Sequence, residues 1–201
     1  MVSRILFSPA VAPLDLPALL TETGALLSGH FRLSSGLHSA GYVQCAKLLE
    51  LPIHARAIGE ALGDRVRSMN PQRIVAPALG GVVIGYVVAQ ALDLPFIFTE
   101  RKEGAMTLRR GFTIGVAERI VIVEDVVTTG KSTKETADVV RQHGGDVVGF
   151  ASIMNRSGKA NPFDLPYEAL TSLALATYDE ASCPLCKADV PLDAPGSRFT
   201  K

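Results

Sequence analysis

Arg119-Ile120-Val121-Ile122-Val123-Glu124-Asp125-Val126-Val127-Thr128-Thr129-Gly130-Lys131-Ser132-Thr133 opens with a short apolar, mostly β-branched run. Such a run suits a strand buried on both faces of a parallel sheet. The chain then turns through two carboxylates and a Thr-Thr-Gly loop into a helix. A helix beginning near Lys131 leaves its first backbone N–H groups unpaired. Gly130 allows close approach, and the hydroxyls of Thr128, Thr129 and Ser132 add donors, so the turn forms a pocket for a phosphate monoester. The helix dipole supplies only about 0.3–1 kcal/mol to an exposed anion, whereas each hydrogen bond to a charged group contributes about 1.5–3 kcal/mol. Convergent donors, not the dipole, must therefore grip the ligand.

Glu124 and Asp125 decide which phosphate fits. The P-loop pattern G-x-x-x-x-G-K-[ST] matches at Gly130, Lys131 and Ser132, but its first glycine falls on Asp125. A carboxylate there repels a wrapped triphosphate. It suits a vicinal diol, whose hydroxyls donate to carboxylate oxygens, or a Mg²⁺ carried by the ligand. A diol beside a phosphate describes ribose 5-phosphate. An ordinary buried strand ending in a solvated turn explains the apolar run but not two acids followed by Thr-Thr-Gly-Lys-Ser.

The segment Glu124-Asp125-Val126-Val127-Thr128-Thr129-Gly130-Lys131-Ser132 resembles the phosphoribosyl-pyrophosphate (PRPP) motif of the type I phosphoribosyltransferases. The resemblance implies that the two acids hold the ribose hydroxyls and that the Thr-x-Gly-x-Ser loop holds the 5-phosphate.

The chain has 201 residues, 47% hydrophobic and 20% charged. That is enough for one well-cored domain plus an appendage. Lys+Arg and Asp+Glu both number 20, so no excess positive field collects nucleic acid or anionic lipid. The start, Met1 to Ser8, has too short an apolar core for a signal peptide and is soon interrupted by Pro9, Pro13 and Asp15; a cytoplasmic protein is expected. Ile74 to Leu92 is long and uncharged, but Pro77 and Gly80-Gly81 divide it into strand, loop and helix, not a membrane span.

Leu14 to Leu27 carries leucines at near-helical spacing with Gly29 as a stop, which predicts an N-terminal helix. From Gly29 to Tyr42 the chain becomes polar, glycine-rich and dotted with aromatics, a texture of turns and short strands. Phe31, Leu33, Ser35, Gly36, Ser39 and Tyr42 resemble the F-x-L-x-S-G-x-x-S-x-x-Y stretch in the N-terminal hood of orotate phosphoribosyltransferases. That resemblance implies orotate as the base, with Phe31, Ser35 and Thr128 among its contacts. Better-known members place a lysine where this chain has Ser34, so that contact is missing or comes from Arg32. His30 and His38 have no acid or serine at a telling spacing and read as surface or hood histidines.

Pro52 to Met69 carries Ile53, Ala57, Ile58, Ala61, Leu62 and Val66 on one stripe, an amphipathic helix against the sheet. Arg73 to Gly81 reads as a strand running into a tight loop, and the resemblance makes Ala78, Leu79, Gly80 and Gly81 the pyrophosphate loop. Phe96-Ile97-Phe98 is a short strand feeding Thr99 to Gly111, whose four cations read on their own as a solvated loop. By resemblance this is the mobile catalytic loop, with Arg101 and Lys102 at its opening and Arg109 or Arg110 standing in for a later lysine and histidine that are absent. Lys131 to His143 is the next helix, and the strand Val147 to Ile153 runs into Asn155-Arg156. The family places an arginine here on the orotate carboxylate, a bidentate contact suited to a planar guanidinium; Arg156 takes that role.

Tyr167 to Tyr178 reads as one more strand. Cys183-Pro184-Leu185-Cys186 is half a zinc site, with no histidine at ligand spacing and Cys45 too remote to count. It is read as a tail turn with reduced thiols, ahead of a metal site shared across a dimer.

These readings combine into a three-layer α/β domain with a mostly parallel sheet of the type I phosphoribosyltransferase kind and a small hood. The hood spans about 1–50 and can draw in the C-terminal tail; the core spans about 51–160. The implied reaction converts PRPP and orotate to orotidine 5′-monophosphate and pyrophosphate, with Mg²⁺ carried by PRPP and no protein side chain assigned as its direct ligand. A homodimer with shared active sites follows from the family, and neither nucleic acid nor membrane is expected as partner. The rival readings are a purine-base phosphoribosyltransferase and a PRPP-binding regulator without catalysis.

Overall fold

The computed structural model describes residues 14–33, 35–173 and 175–195. In chain order the elements are α1 (Leu16–Glu22), β1 (Leu26–Arg32), β2 (His38–Val43), α2 (Cys45–Leu48), α3 (Pro52–Val66), β3 (Arg73–Pro77), α4 (Gly81–Leu92), β4 (Phe96–Lys102) and β5 (Ala105–Leu108). After them come β6 (Arg119–Val127), α5 (Lys131–Gln142), β7 (Asp146–Asn155), β8 (Tyr167–Ser172), β9 (Thr177–Tyr178), the short helical turn α6 (Pro184–Lys187) and β10 (Leu192–Asp193). The expected lysine position at Ser34 and the N-terminal segment before Leu14 lie outside the described residues.

The main sheet has the order β5-β4-β3-β6-β7-β8, parallel throughout except for β5. Strand alternation sorts its side chains onto two faces. Ile74, Val121, Val123, Ala151 and Ile153 pack with Ile58, Leu62, Ile84 and Val88 of α3 and α4. Val75, Ile120, Ile122, Val147 and Phe150 pack with Ala137 and Val140 of α5. Helices thus cover both faces, giving the expected three layers. From β3 the chain crosses through α4 to β4, and from β6 through α5 to β7, so the two connections leave in opposite directions. That makes the ends of β3 and β6 the switch point of the sheet, where α/β proteins open a crevice for ligands. The ladder between them reaches only as far as Val75 and Ile122, and the strands part beyond it.

A second sheet, β10-β1-β2-β9, forms the hood from both ends of the chain. The N-terminal helix is shorter than its leucines suggest. It ends at Glu22, Gly24 turns the chain with φ +60°, and Leu26, Leu27 and Gly29 belong to β1. Tyr167 to Tyr178 is likewise not one strand: β8 joins the core sheet, past the expected boundary near residue 160, and β9 joins the hood. Ile53 does not lie on the buried stripe of α3 but is 62% exposed, because Ala55, Ile58, Gly59, Leu62, Gly63 and Val66 form the inward face. The cation-rich loop is an antiparallel hairpin, β4 continuing to Lys102 and pairing with β5 around a Glu103-Gly104 turn. His30 and His38 are buried, not surface residues.

Candidate active site

The quoted stretch folds as β6, a three-residue loop and α5. Both acids lie within the strand, so their positions are fixed by its pairing: Glu124 lies opposite Ser152 of β7. Gly130 precedes the helix with φ +71°, and a Cβ there would stand 2.9 Å from the Phe163 ring. Only glycine satisfies both the left-handed backbone and that contact. Lys131 N–H donates to Thr129 Oγ1 at 3.3 Å, and no side chain caps the helix start. Around this turn lies a cleft of about 220 Å³ lined by Glu124, Val126 to Thr133 and, from the hood, Ser35. The structure therefore brings together the motif residues Glu124, Val126, Val127, Thr128, Thr129, Gly130, Lys131 and Ser132, and adds Thr133, which the sequence did not single out.

Asp125 sits against the loop after β3. A Cβ on Gly80 would come within 2.6 Å of Asp125 Oδ2, and one on Gly81 within 3.2 Å of Glu124 Oε1. The two glycines are what allow the Ala78-Leu79-Gly80-Gly81 loop to reach the acids. The peptide bond between Ala78 and Leu79 is cis.

The acids share one environment. Burial, then the charge of Asp125 and a hydrogen bond between the two side chains, push Glu124 well above the ordinary carboxylate range. Burial raises Asp125 too, but the hydrogen bonds it accepts from Glu124 and from the Val126 N–H, the latter at 2.7 Å, oppose the rise. Burial and mutual repulsion thus disfavour the charged form of both acids, more strongly at Glu124 than at Asp125. Among the described residues neither acid forms an ion pair. Lone pairs not taken by these local bonds can accept from hydroxyls or face a cation brought by a ligand.

Arg156 follows β7, its N–H donating to Val127 O at 2.8 Å. Its side-chain Nε is buried with no hydrogen-bond partner. Burial lowers its pKa, while the neighbouring Tyr42 and Cys45 oppose that change. Tyr42 in turn is raised by burial and by the charge of Asp125. Tyr42 and Cys45 thus connect the hood to both Arg156 and the acids. Sequence patterns gave no role to Cys45, an isolated residue just past the hood motif. Phe31 lies outside the cleft lining, buried at 5% exposure with its ring 5.8 Å from that of Tyr42.

The hairpin cations are paired at home. Arg101 bonds Glu135 of α5, which also lies 3.9 Å from Lys131. Arg109 and Arg110 both meet Glu100, at 3.2 and 2.9 Å, and Arg110 also stands over the Phe98 ring. Lys102 is exposed, with only its neighbour Glu103 at 3.9 Å. Glu100 and Glu135 are the anchoring partners that sequence reading did not pick out.

A phosphate cradle, paired acids and a glycine loop at the switch point are the features of a phosphoribosyl transferase domain, and that family matches residues 44–173. The orotate phosphoribosyltransferase of Thermotoga maritima is 46% identical over 183 residues, 91% of this chain and 98% of its own. That of Carboxydothermus hydrogenoformans is 45% identical over 187 residues, 92% and 98% of the two chains. The solved orotate phosphoribosyltransferase of Aeropyrum pernix superposes with TM-score 0.64 at 25% identity, covering 79% of this chain and 93% of that one. The chain belongs to the orotate phosphoribosyltransferase family.

Proposed function

We propose that this protein transfers the phosphoribosyl group of PRPP to orotate, releasing pyrophosphate and forming orotidine 5′-monophosphate. The observation that carries the base assignment is the buried, unpartnered Nε of Arg156, beside Tyr42 of the hood and next to the phosphate cradle. A guanidinium donor left unpaired in the protein costs about 1–3 kcal/mol, more for a charged group, until an anion such as a carboxylate accepts from it.

The residues divide the substrates between them. The Thr128–Thr133 turn takes the 5-phosphate, with Ser35 closing the cleft from the hood. Asp125 and Glu124 accept from the ribose hydroxyls. The Ala78–Gly81 loop and the hairpin cations Arg101, Lys102, Arg109 and Arg110 face the pyrophosphate, and Thr128, Arg156 and the hood orient orotate. The anomeric carbon exchanges its bond to a pyrophosphate oxygen for one to a ring nitrogen of orotate, and that nitrogen gives up its proton to the departing pyrophosphate or to solvent. Positive charge grows on the sugar and negative charge on the leaving group, so positioning and fixed charges carry the catalysis without a covalent nucleophile. The carboxylate oxygens of Glu124 and Asp125 are hard donors suited to Mg²⁺ nearby; the ion arrives with PRPP, which holds it, and no side chain is assigned as its direct ligand. Bound there, Mg²⁺ neutralises the diphosphate charge that the hairpin cations also offset.

We propose a cytoplasmic homodimer. Val83 and Tyr86, at i and i+3 on α4, leave apolar side chains 47% and 59% exposed, a face suited to a second copy. Among the described residues no helix is long and apolar enough to cross a membrane.

The deciding experiment measures pyrophosphate release from PRPP and Mg²⁺ with orotate, adenine, hypoxanthine or xanthine. Release with orotate alone is expected. Release with a purine and not with orotate overturns the base assignment, and PRPP binding with no release from any base points to a regulator.

A further inference from the structure

We propose that the hood holds a structural zinc ion, bound by His30 Nε2, His38 Nδ1, Cys183 Sγ and Cys186 Sγ. The four groups come from opposite ends of the chain, yet all four atoms lie within 4.8 Å of one another. Three of the residues are buried and Cys186 is partly so. No disulfide joins the cysteines.

The contacts trace four of the six edges of a coordination tetrahedron, and the other two are no longer than 4.8 Å. His30 Nε2 stands 3.0 Å from His38 Nδ1, 3.5 Å from Cys183 Sγ and 3.6 Å from Cys186 Sγ, and His38 Nδ1 stands 3.2 Å from Cys186 Sγ. Tetrahedral zinc, with Zn–N of about 2.0–2.1 Å and Zn–S of about 2.3 Å, separates two nitrogens by about 3.3 Å and a nitrogen from a sulfur by about 3.5 Å. Hydrogen bonding accounts for the cluster less well. His30 Nδ1 lies 2.8 Å from the Val190 carbonyl, which can only accept. Nδ1 therefore carries the proton, and Nε2 presents a single lone pair. Three groups converge on that one lone pair, which one cation at their centre satisfies at once. The Val190 carbonyl is the outer partner that fixes a ligating histidine in its tautomer.

The fold delivers the ligands to this point. His38 pairs with Arg32 across the β1–β2 ladder, and His30, two residues before Arg32, lies diagonally on the same face. The thiols sit at i and i+3, Cys183 capping α6 and Cys186 within it, which puts both on one side of a helical turn. The connecting segment is tied down at the histidines themselves: His38 is the ladder partner of Tyr178 and His30 that of Leu192.

Beyond these short ladders the tail has little apolar packing of its own among the described residues. Its strands β9 and β10 are two residues each, and between Thr177 and Asp193 the single buried residue is Cys183. Segments without an apolar core of their own are ordinarily held by a disulfide or a metal, and here the ligands of a metal are assembled.

The test uses full-length, untagged protein kept reduced. Elemental analysis should find one zinc per chain. Replacing zinc with Co²⁺ should give thiolate-to-cobalt charge-transfer bands and the intense visible bands of tetrahedral cobalt. Cys186→Ser and His38→Gln should each lose or strongly shift those bands. If these variants do not fold, hydrogen exchange on the wild type decides: removing zinc should speed exchange in residues 26–43 and 177–193 and leave the core sheet unchanged. Reduced wild type with substoichiometric zinc and no cobalt–thiolate band overturns the proposal. So do cobalt spectra untouched by folded Cys186→Ser, or exchange that ignores metal removal.

Discussion

The two sheets are built by different means. The core sheet stacks β-branched and other apolar residues against helices on both faces, with Ile74, Val75, Ile120, Val121, Ile122 and Val123 fully buried. The hood buries His30, His38 and Ser39, and two of its strands are only two residues long. The active site draws on both: the cradle and acids grow from the core strand β6, whereas Ser35, Tyr42 and Cys45 come from the hood and the stretch just after it. The sugar-phosphate end of the site thus rests on close-packed scaffold, and the base end on a small sheet held by polar contacts. A ligand bridging the two must feel the stability of each separately.

The largest expected effect is on the core side. Asp125→Asn should lower kcat/KM by about a hundredfold or more, because charge-assisted hydrogen bonds of about 1.5–3 kcal/mol each lose their charge; calorimetry should show PRPP binding weakened with the fold intact. Arg156→Ala should reduce kcat/KM for orotate by roughly 30- to 100-fold while PRPP affinity changes little, and Arg156→Lys should recover only part of that, a point charge replacing a fork. If Arg156→Ala weakened PRPP as much as orotate, the division of labour between the two regions would fail.

Two smaller effects concern stability. Gly130→Ala forces a left-handed backbone and a contact with Phe163; the backbone alone costs about 1–2 kcal/mol, or roughly 2–8 °C in Tm for a chain of this size. Glu124→Gln should act in the opposite sense. In the ligand-free protein Glu124 keeps its proton above the ordinary carboxylate range, where the unfolded chain has released it. The native state then binds more protons than the unfolded one, so stability falls as pH rises through that window. Glutamine removes this slope: the variant's Tm should exceed wild type by about a degree or two in mild alkali and converge with it in acid, while PRPP binding weakens. The smallest effect is Glu135→Gln. It releases Arg101 from a partly exposed ion pair of about 0–1 kcal/mol, and kcat should change by less than about threefold in steady-state assays.

What could be read from the sequence was what local pattern dictates. Arg119 to Thr133 encodes strand, loop and helix within one short stretch; α5 begins where Gly130 implies, whereas β6 runs past the apolar run and through both acids to Val127, because its ladder with β7 continues there. The leucines of α1 misled because periodicity continued past Gly24, where a left-handed turn ends the helix. The β4–β5 hairpin was hidden by its charges: its end strand alternates at the sheet edge, so apolar content did not mark it. Spacing rules exposed only the cysteine half of the zinc site, Cys183 and Cys186, and left the histidine half out of reach. His30 and Cys183 are brought together across |i−j| = 153, and only the pairing of β9 and β10 with β2 and β1 reveals that they meet. Cys45 and the roles of Glu100 and Glu135 likewise depend on tertiary contacts that no pattern announces.

The hood sheet has one further consequence, for the order of assembly. Its central strands β1 and β2 precede the whole core sheet in the chain, but both neighbours, β9 and β10, follow it. Every strand of the core is complete before either edge of the hood can be covered. The scaffold with its phosphate cradle can therefore form first during synthesis, as domains commonly do from the N-terminal side, whereas the completed hood must await β9 and β10. A chain cut before β9 would carry the sugar-binding half of the site under an unfinished roof, so catalytic competence also reports that the chain continues through β10.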